Sequence, residues 1–170
     1  MAAAMNMRYK GFTLIEFVFV VVLTGILCAI ALPRYVNMQS SAHRAGVNAV
    51  AQTFREAVRL VNATYRANRF RGERDNIPGF GAGNVDTNAA GYPTDTSNVN
   101  SISGSAARCM RVWNGILLNP PSCGTGSTTT ADYRATVSGE ICTYTYRRDA
   151  ATTRRFTYNA LTGAVVVTNP

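Results

Sequence analysis

The apolar run from Phe12 to Leu32 is the feature that most constrains this chain. It holds 21 consecutive residues with one charged side chain, Glu16. At about 1.5 Å of rise per residue, a helix of this length extends about 32 Å, which is enough to cross the hydrocarbon core of a membrane. The sequence therefore predicts a membrane-spanning helix near the N-terminus.

A short polar leader, residues 1–11, precedes this run and carries Arg8 and Lys10 next to the apolar segment. Basic residues on this side predict a cytoplasmic N-terminus, with the rest of the chain outside. An ordinary secretory signal has a shorter apolar stretch, followed by a cleavage site made of small residues. The longer run and the absence of such a site after it argue against a secretory signal.

The residues at the start of the run read KGFTLIE over positions 10–16. A glycine, an aromatic residue, a glutamate and an uninterrupted apolar run in this order resemble the prepilin family, which comprises type IV pilins and the pseudopilins of type II secretion. The resemblance extends from Lys10 to Tyr35. It implies that prepilin peptidase cuts between Gly11 and Phe12, methylates the new amino group of Phe12 and leaves the apolar segment on the mature protein.

Glu16 is a functional candidate because an ionisable group inside a membrane span costs about 2.5–3.5 kcal/mol on insertion scales. In the family the matching glutamate meets the N-terminal amine of a neighbouring subunit. We therefore expect Glu16, together with the amine of Phe12, to set subunit addition and register in a filament. The alternative is that Glu16 reaches the membrane interface from the first turn of the helix.

Beyond the apolar run, apolar residues recur every three or four positions, which is the helical period. They are Val47, Val50, Phe54, Ala57, Val58, Val61 and Tyr65. The pattern predicts one long helix, with a transmembrane or filament-core half at 12–33 and an amphipathic half at 34–71. It should end over Asn68–Gly72, with Gly72 as its C-terminal cap.

Residues 72–108 have no periodicity and are rich in Gly, Asn, Ser and Thr. They predict a long ordered loop with at most short strands, a region that is variable in pilins. The glycines between Gly79 and Gly83 lack the G-x-G-x-x-G spacing, a preceding strand and a following helix. This argues against a dinucleotide site.

Residues 109–170 read as an antiparallel β-sheet region. The segment Met110–Leu118 fits a strand or a short helix, and the spacing of Trp113 and Leu117 favours the helix. Four alternating segments separated by turn residues predict a meander: Tyr133–Val137, Ile141–Arg147, Arg154–Tyr158 and Ala164–Thr168. The predicted fold class is α+β and pilin-like, a long N-terminal helix whose second half packs on a C-terminal antiparallel sheet.

The C-terminal region has a narrower likeness to the mannose-sensitive haemagglutinin type of major pilin. Three cysteines follow the span, and three single disulfides are compatible with the sequence. The pair Cys109–Cys142 matches the narrower likeness and would attach the start of this region to a central strand. The pair Cys123–Cys142 remains the alternative.

Sixteen of the 17 basic residues are arginines, against nine acidic residues, for a net charge of +8. Four of them, Arg147, Arg148, Arg154 and Arg155, flank one predicted hairpin turn. Such a basic tip is suited to an anionic ligand, either DNA or a surface glycan. The competing interpretation is a solvated hairpin end that pairs with Asp149 and neighbouring subunits.

No catalytic motif is present, and His43 is the single histidine. Asp86, Asp95 and Asp132 fit no compact calcium-binding motif. We therefore expect a non-enzyme without cofactor or metal.

The sequence and the resemblance predict a structural subunit of a type IV pilus that supports surface adhesion. Its partners would be copies of itself, prepilin peptidase and the inner-membrane assembly platform. It would lie in the bacterial inner membrane before assembly and in the extracellular pilus afterwards. The alternatives are a pseudopilin of a type II secretion system and a DNA-uptake pilin.

Overall fold

The structure, a computed structural model, describes residues 11–128 and 130–168. Apart from Gly11, the predicted leader lies outside these residues. The chain divides into two compact units, one up to Ser40 and one from Ser41 onward. One helix, α1 (Leu14–Ala67), begins in the first unit and ends in the second. The long helix predicted from the sequence is therefore confirmed.

Within its described residues, the second unit holds a further helix and eight strands. In chain order they are β1 (Arg74–Ile77), β2 (Val85–Thr87), β3 (Pro93–Asp95), α2 (Ala106–Ile116), β4 (Cys123–Gly124), β5 (Tyr133–Ser138), β6 (Ile141–Tyr146), β7 (Arg155–Asn159) and β8 (Val165–Thr168).

The C-terminal sheet has five strands in the order β4-β5-β6-β7-β8. Strands β5 to β8 form the predicted antiparallel meander, with Cys142 of β6 opposite Val137 and Tyr158. The alternation along β6 places Cys142 and Tyr144 in the core and leaves Ile141 exposed, as the period of two requires. The sequence did not predict β4, which pairs with β5 in parallel.

Residues 72–108 contain short strands, which the prediction of an ordered loop with at most short strands allows, and β1, β2 and β3 pair as a three-stranded antiparallel sheet. Its strands have three or four residues, which is too short to show an alternating pattern. Side chains stabilise it, since the Asp86 carboxylate accepts hydrogen bonds from the backbone N–H groups of Asn76, Asn98 and Val99 at 3.1, 2.7 and 3.3 Å.

The segment that the sequence left open between strand and helix is helical, since α2 covers most of it. Its buried face includes Cys109, Val112 and Trp113, and the helix lies against β3 and β5. Trp113 is fully buried, and its indole N–H donates to the Pro121 carbonyl at 2.9 Å. Helix α2 therefore contacts both sheets of the second unit.

The expected cap at Gly72 is wrong, because α1 ends at Ala67 and Arg69 adopts the left-handed conformation with φ of 57°. The Phe70 N–H donates to the Tyr65 carbonyl and the Arg69 N–H to the Arg66 carbonyl, at 3.2 and 3.0 Å. These two bonds form a Schellman motif. The Tyr65 and Phe70 rings, 5.9 Å apart, supply the apolar contact that accompanies it.

Phe54 lies at the centre of the core between the second part of α1 and the sheet. Its ring centroid is 5.2 Å from that of Tyr144, 5.4 Å from Tyr158 and 5.6 Å from Phe156. The predicted apolar stripe of α1 is largely confirmed: Val47, Phe54, Val58, Val61 and Tyr65 are buried, Val50 and Ala57 are partly buried, and Ala51 joins them. Helix and sheet thus bury each other's apolar faces.

Candidate functional site

Thr13 and Glu16 form the start of α1. Thr13 precedes the helix, and Glu16 is its third residue. The backbone N–H and the hydroxyl of Thr13 both donate to Glu16 Oε2, at 2.9 and 2.8 Å, and the Glu16 N–H donates to Thr13 Oγ1 at 3.3 Å. This reciprocal pattern is a capping box, which satisfies donors that the first turn of a helix leaves unpaired.

Glu16 lies in an exposed apolar environment on its own helix. The window Leu14–Ala31 is long and apolar enough to cross a membrane, and none of it is buried in the protein. Phe12, just before the helix, is 80% exposed. A carboxylate in such surroundings is costly once water is removed, and a cationic partner offsets that cost.

The carboxylate of Glu16 keeps hydrogen-bonding capacity for such a partner. Within the described residues both of its hydrogen bonds are to Oε2, so Oε1 can accept a donor from another molecule. Gly11 and Phe12 lie outside the helix and are exposed. Neither residue is enclosed by the described part of the chain.

Sequence reasoning identified Glu16 but missed Thr13. The signal was present, since threonine followed three residues later by glutamate, before an apolar run, is typical of a helix N-terminus. The structure thus assigns Glu16 a local role in helix capping, in addition to the role expected from the resemblance.

Cys109 of α2 and Cys142 of β6 form a disulfide, with their Cα atoms 5.7 Å apart. Because Cys142 is bonded to Cys109, the alternative pair with Cys123 does not form. Cys123 is a free, partly buried thiol, and burial raises its pKa to about 11. The disulfide therefore attaches α2 to the centre of the sheet.

The four arginines of the expected basic tip do not form one exposed patch. Arg154 is 4% exposed, and its Nε donates to Asp149 Oδ2 at 2.8 Å. That hydrogen bond lowers the pKa of Asp149. Arg154 is therefore buried in an ion pair with Asp149, which is the pairing that the competing interpretation of the hairpin end expected.

The other members of the predicted tip are exposed, but only two remain without an acidic partner among the described residues. Arg148 Nε donates to Asp132 Oδ1 at 2.6 Å, and Arg147 and Arg155 make no such ion pair. Hydrogen bonds from Ser122 and Arg148 lower the pKa of Asp132. The tip thus presents much less uncompensated positive charge than the sequence suggested.

The aspartates considered for calcium are engaged in hydrogen bonds within the protein. Asp95 is fully buried, and Arg111 donates to it through Nε and Nη2 at 2.5 and 2.8 Å. Asp86 stabilises the small sheet, and Asp132 pairs with Arg148. Within residues 11–128 and 130–168, no three acidic, histidine or cysteine side chains are grouped as metal ligands.

His43 is half-buried, and its Nδ1 lies 3.1 Å from the Tyr146 hydroxyl. The two rings are 5.5 Å apart. The contact attaches α1 to the end of β6.

Comparison with known proteins connects these observations to a family motif. Residues 6–32 match the prokaryotic N-terminal methylation motif. The chain is also similar to the type IV narrow pilus major component PilA5 of Thermus thermophilus, with 53% identity over 51 residues, which are 30% of this chain and 44% of the relative. No solved structure matches the chain.

The chain therefore spans less than half the length of this curated relative. The methylation motif covers the residues that the structure places at the start of the apolar helix, including Gly11, Phe12, Thr13 and Glu16. The N-terminal part of this chain is thus of the kind found in proteins that carry the prokaryotic N-terminal methylation motif.

Proposed function

We propose that this chain is a structural subunit of a type IV pilus. Prepilin peptidase cleaves it between Gly11 and Phe12 and methylates Phe12. One membrane span, with a cytoplasmic N-terminus, holds it in the bacterial inner membrane, and the assembly platform there adds it to an extracellular filament of identical subunits. The observation that carries the proposal is the one carboxylate in the exposed apolar window Leu14–Ala31, four residues after Phe12 and within the methylation motif.

Assembly is proposed to depend on Glu16 and the new amino group of Phe12. In a filament the apolar helices of neighbouring subunits surround both charges with hydrocarbon. Each ion then offsets the desolvation cost of the other, but only when subunits are in register. Oε1 of Glu16 supports this, because among the described residues the hydrogen bonds of the capping box to the carboxylate are to Oε2, and Oε1 can accept from the amine.

Three substitutions separate charge pairing from helix capping. Glu16→Gln keeps a capping side chain and removes the charge, Glu16→Ala removes both, and Thr13→Ala removes a capping partner but keeps the charge. We expect both Glu16 variants to lose surface filaments and Thr13→Ala to retain them, as counted by electron microscopy at equal protein levels. Normal filaments from Glu16→Gln or from Glu16→Ala would contradict the proposal.

The division of the chain follows from this function. Residues 1–11 are the leader, 12–33 the filament core, 34–71 the amphipathic half of the helix, 72–108 the variable region and 109–170 the sheet region. The outer parts would contact surfaces in adhesion. The disulfide between Cys109 and Cys142 supports the narrower likeness to the mannose-sensitive haemagglutinin type of major pilin.

Two alternatives share the N-terminal motif. A pseudopilin of a type II secretion system would be needed for protein export rather than for filaments, so secretion by a deletion strain distinguishes it. A DNA-uptake pilin would bind DNA through the basic tip, and the burial of Arg154 weakens that alternative. Gel shifts that depend on Arg147, Arg148 and Arg155 would favour it.

A further inference from the structure

A polar pocket of about 440 Å³ lies beside the last turns of α1. We call it the arginine pocket. Among the residues that line it are Arg59, Ala63, Arg66, Tyr92, Thr162 and Gly163. Three segments meet there: α1, the turn that follows β2, and the turn between β7 and β8. Its size is within the range of small-ligand sites.

Side-chain hydrogen bonds fix the three walls to one another. Asn62 Nδ2 of α1 donates to the Ala90 carbonyl at 2.8 Å, and Asn88 Nδ2 donates to the Ala160 carbonyl at 2.6 Å. Asn88 Oδ1 also accepts the N–H groups of Ala90 and Tyr92, at 3.0 and 3.1 Å. The walls are therefore held in place before any ligand arrives, which reduces the cost of binding.

Tyr92 is held against the opposite turn. A Cβ built on Gly163 would collide with the Tyr92 ring, and Gly163 has φ of 69°, so the backbone approaches the ring as only glycine allows. Tyr92 is partly exposed and lines the pocket. It supplies an aromatic side chain with a hydroxyl group to the same pocket as Arg59 and Arg66.

Arg59 and Arg66 are seven residues apart on one face of α1, with the small side chain of Ala63 between them. About 10 Å of helix separates the two positions, and each long side chain can reach a group held above Ala63. Of the described residues that line the pocket, none is acidic. Arg59 pairs with Glu56 at 2.8 Å, but both are exposed, so the pair competes weakly with a ligand.

We propose that the arginine pocket binds a single sugar residue that carries a carboxylate, as in an acidic polysaccharide. Guanidinium groups bind carboxylates with paired, charge-assisted hydrogen bonds, and Tyr92 and Thr162 suit a ring with an apolar face and hydroxyl groups. A nucleic-acid backbone instead needs a long basic groove with several stacking side chains. A role of this pocket in adhesion rests on the proposed function. Binding of the sugar can be measured on the unassembled protein.

Binding is tested with the full-length chain in detergent, titrated with a trimer of galacturonic acid. Neutral galactotriose and inorganic phosphate at equal ionic strength are the comparison ligands. We expect the acidic trimer to bind at least about tenfold more tightly than either, since a charge-assisted hydrogen bond contributes about this much. No binding of the acidic trimer, or equal binding of galactotriose or phosphate, would overturn the proposal.

Substitutions in α1 test whether the acidic trimer binds in the arginine pocket. Arg59→Gln and Arg66→Gln should each weaken binding about tenfold or more. Ala63→Leu should abolish it by filling the space between them, while Arg44→Gln, an equal change of charge at an exposed position of α1, should leave it unchanged. Trp113 fluorescence checks that each variant is folded.

Unchanged binding in Arg66→Gln and Ala63→Leu would overturn the proposal. If these variants bind the acidic trimer normally but assemble no filaments, the pocket is instead a contact between subunits. Failure of the pilus proposal would appear separately, as normal filaments from the Glu16 variants, with sugar binding by the unmodified chain intact.

Discussion

At the scale of single residues, Phe54 shows how the core depends on one side chain from α1. It is fully buried and contacts four aromatic rings of the sheet and α2: Trp113, Tyr144, Phe156 and Tyr158. Spacing alone identified Phe54 as a core residue, because it falls on the apolar stripe. Spacing could not identify the burial of Arg154, which depends on the position of Asp149 after the chain has folded.

Replacing Phe54 with alanine should destabilise the protein by about 3–5 kcal/mol, because it removes a large buried ring and leaves a cavity. Denaturant unfolding of the full-length chain in detergent, followed by the fluorescence of Trp113, measures this. Leu60→Ala is the control: the side chain is 59% exposed on the same helix, and we expect a change within about 0.5 kcal/mol. Equal effects of the two substitutions would contradict the packing described.

The buried ion pair between Asp95 and Arg111 determines how the stability of the protein should respond to acid. Burial opposes ionisation of Asp95, but hydrogen bonds, above all from Arg111, hold its pKa below the ordinary value. A group with a lowered pKa in the folded state stabilises above the pKa of the unfolded chain, about 4 for aspartate. That stabilisation is lost as the pH falls through the pKa of Asp95 in the folded state.

Asp95→Asn should therefore lower the free energy of unfolding at pH 7 by about 1–3 kcal/mol, since Arg111 loses its partner. The difference in the free energy of unfolding between this variant and the unmodified chain should become smaller below about pH 4. Unfolding midpoints at pH 7 and pH 3 measure it, with Asp75→Asn at an exposed position as the control. A difference that stays constant with pH would contradict the role of this ion pair.

At the scale of elements, the sequence predicted the long helix and the four strands of the meander, since each has a clear period. It missed the end of α1, because Schellman geometry usually places glycine where this chain has Arg69. It allowed short strands within 72–108 but did not predict their bounds or their pairing into the small sheet, and it missed β4. Strands of two to four residues carry too few side chains for a pattern, and Asp86 stabilises the small sheet through contacts distant in sequence.

The left-handed conformation of Arg69 predicts a stabilising substitution. Arg69→Gly should raise the free energy of unfolding by about 0.5–1 kcal/mol, because glycine adopts this φ without steric cost. Ala63→Gly, inside the same helix, should lower it by about 1 kcal/mol. Stabilisation by Arg69→Gly and destabilisation by Ala63→Gly in the same unfolding assay would support the assigned end of α1. Destabilisation by both substitutions would contradict it.

At the scale of the whole molecule, the chain combines two environments that its composition averages. Leu14–Ala31 is apolar and exposed, and suits a membrane or the interior of a filament. The second unit is a folded domain with its own core, a disulfide and most of the charged residues. The sequence assigned the first part from one motif and one apolar run. The sequence alone could not predict the arginine pocket, because the walls of the pocket come from three segments that are separated along the chain.

The central proposal is that the chain is cleaved after Gly11 and polymerised as a pilus subunit. Intact-mass and N-terminal analysis of filaments sheared from the cell surface tests it most directly. The account predicts that the main component is this chain, beginning at Phe12 with one methyl group on its amino nitrogen. Filaments that lack the chain, or that contain it with residues 1–11 still attached, would contradict the account.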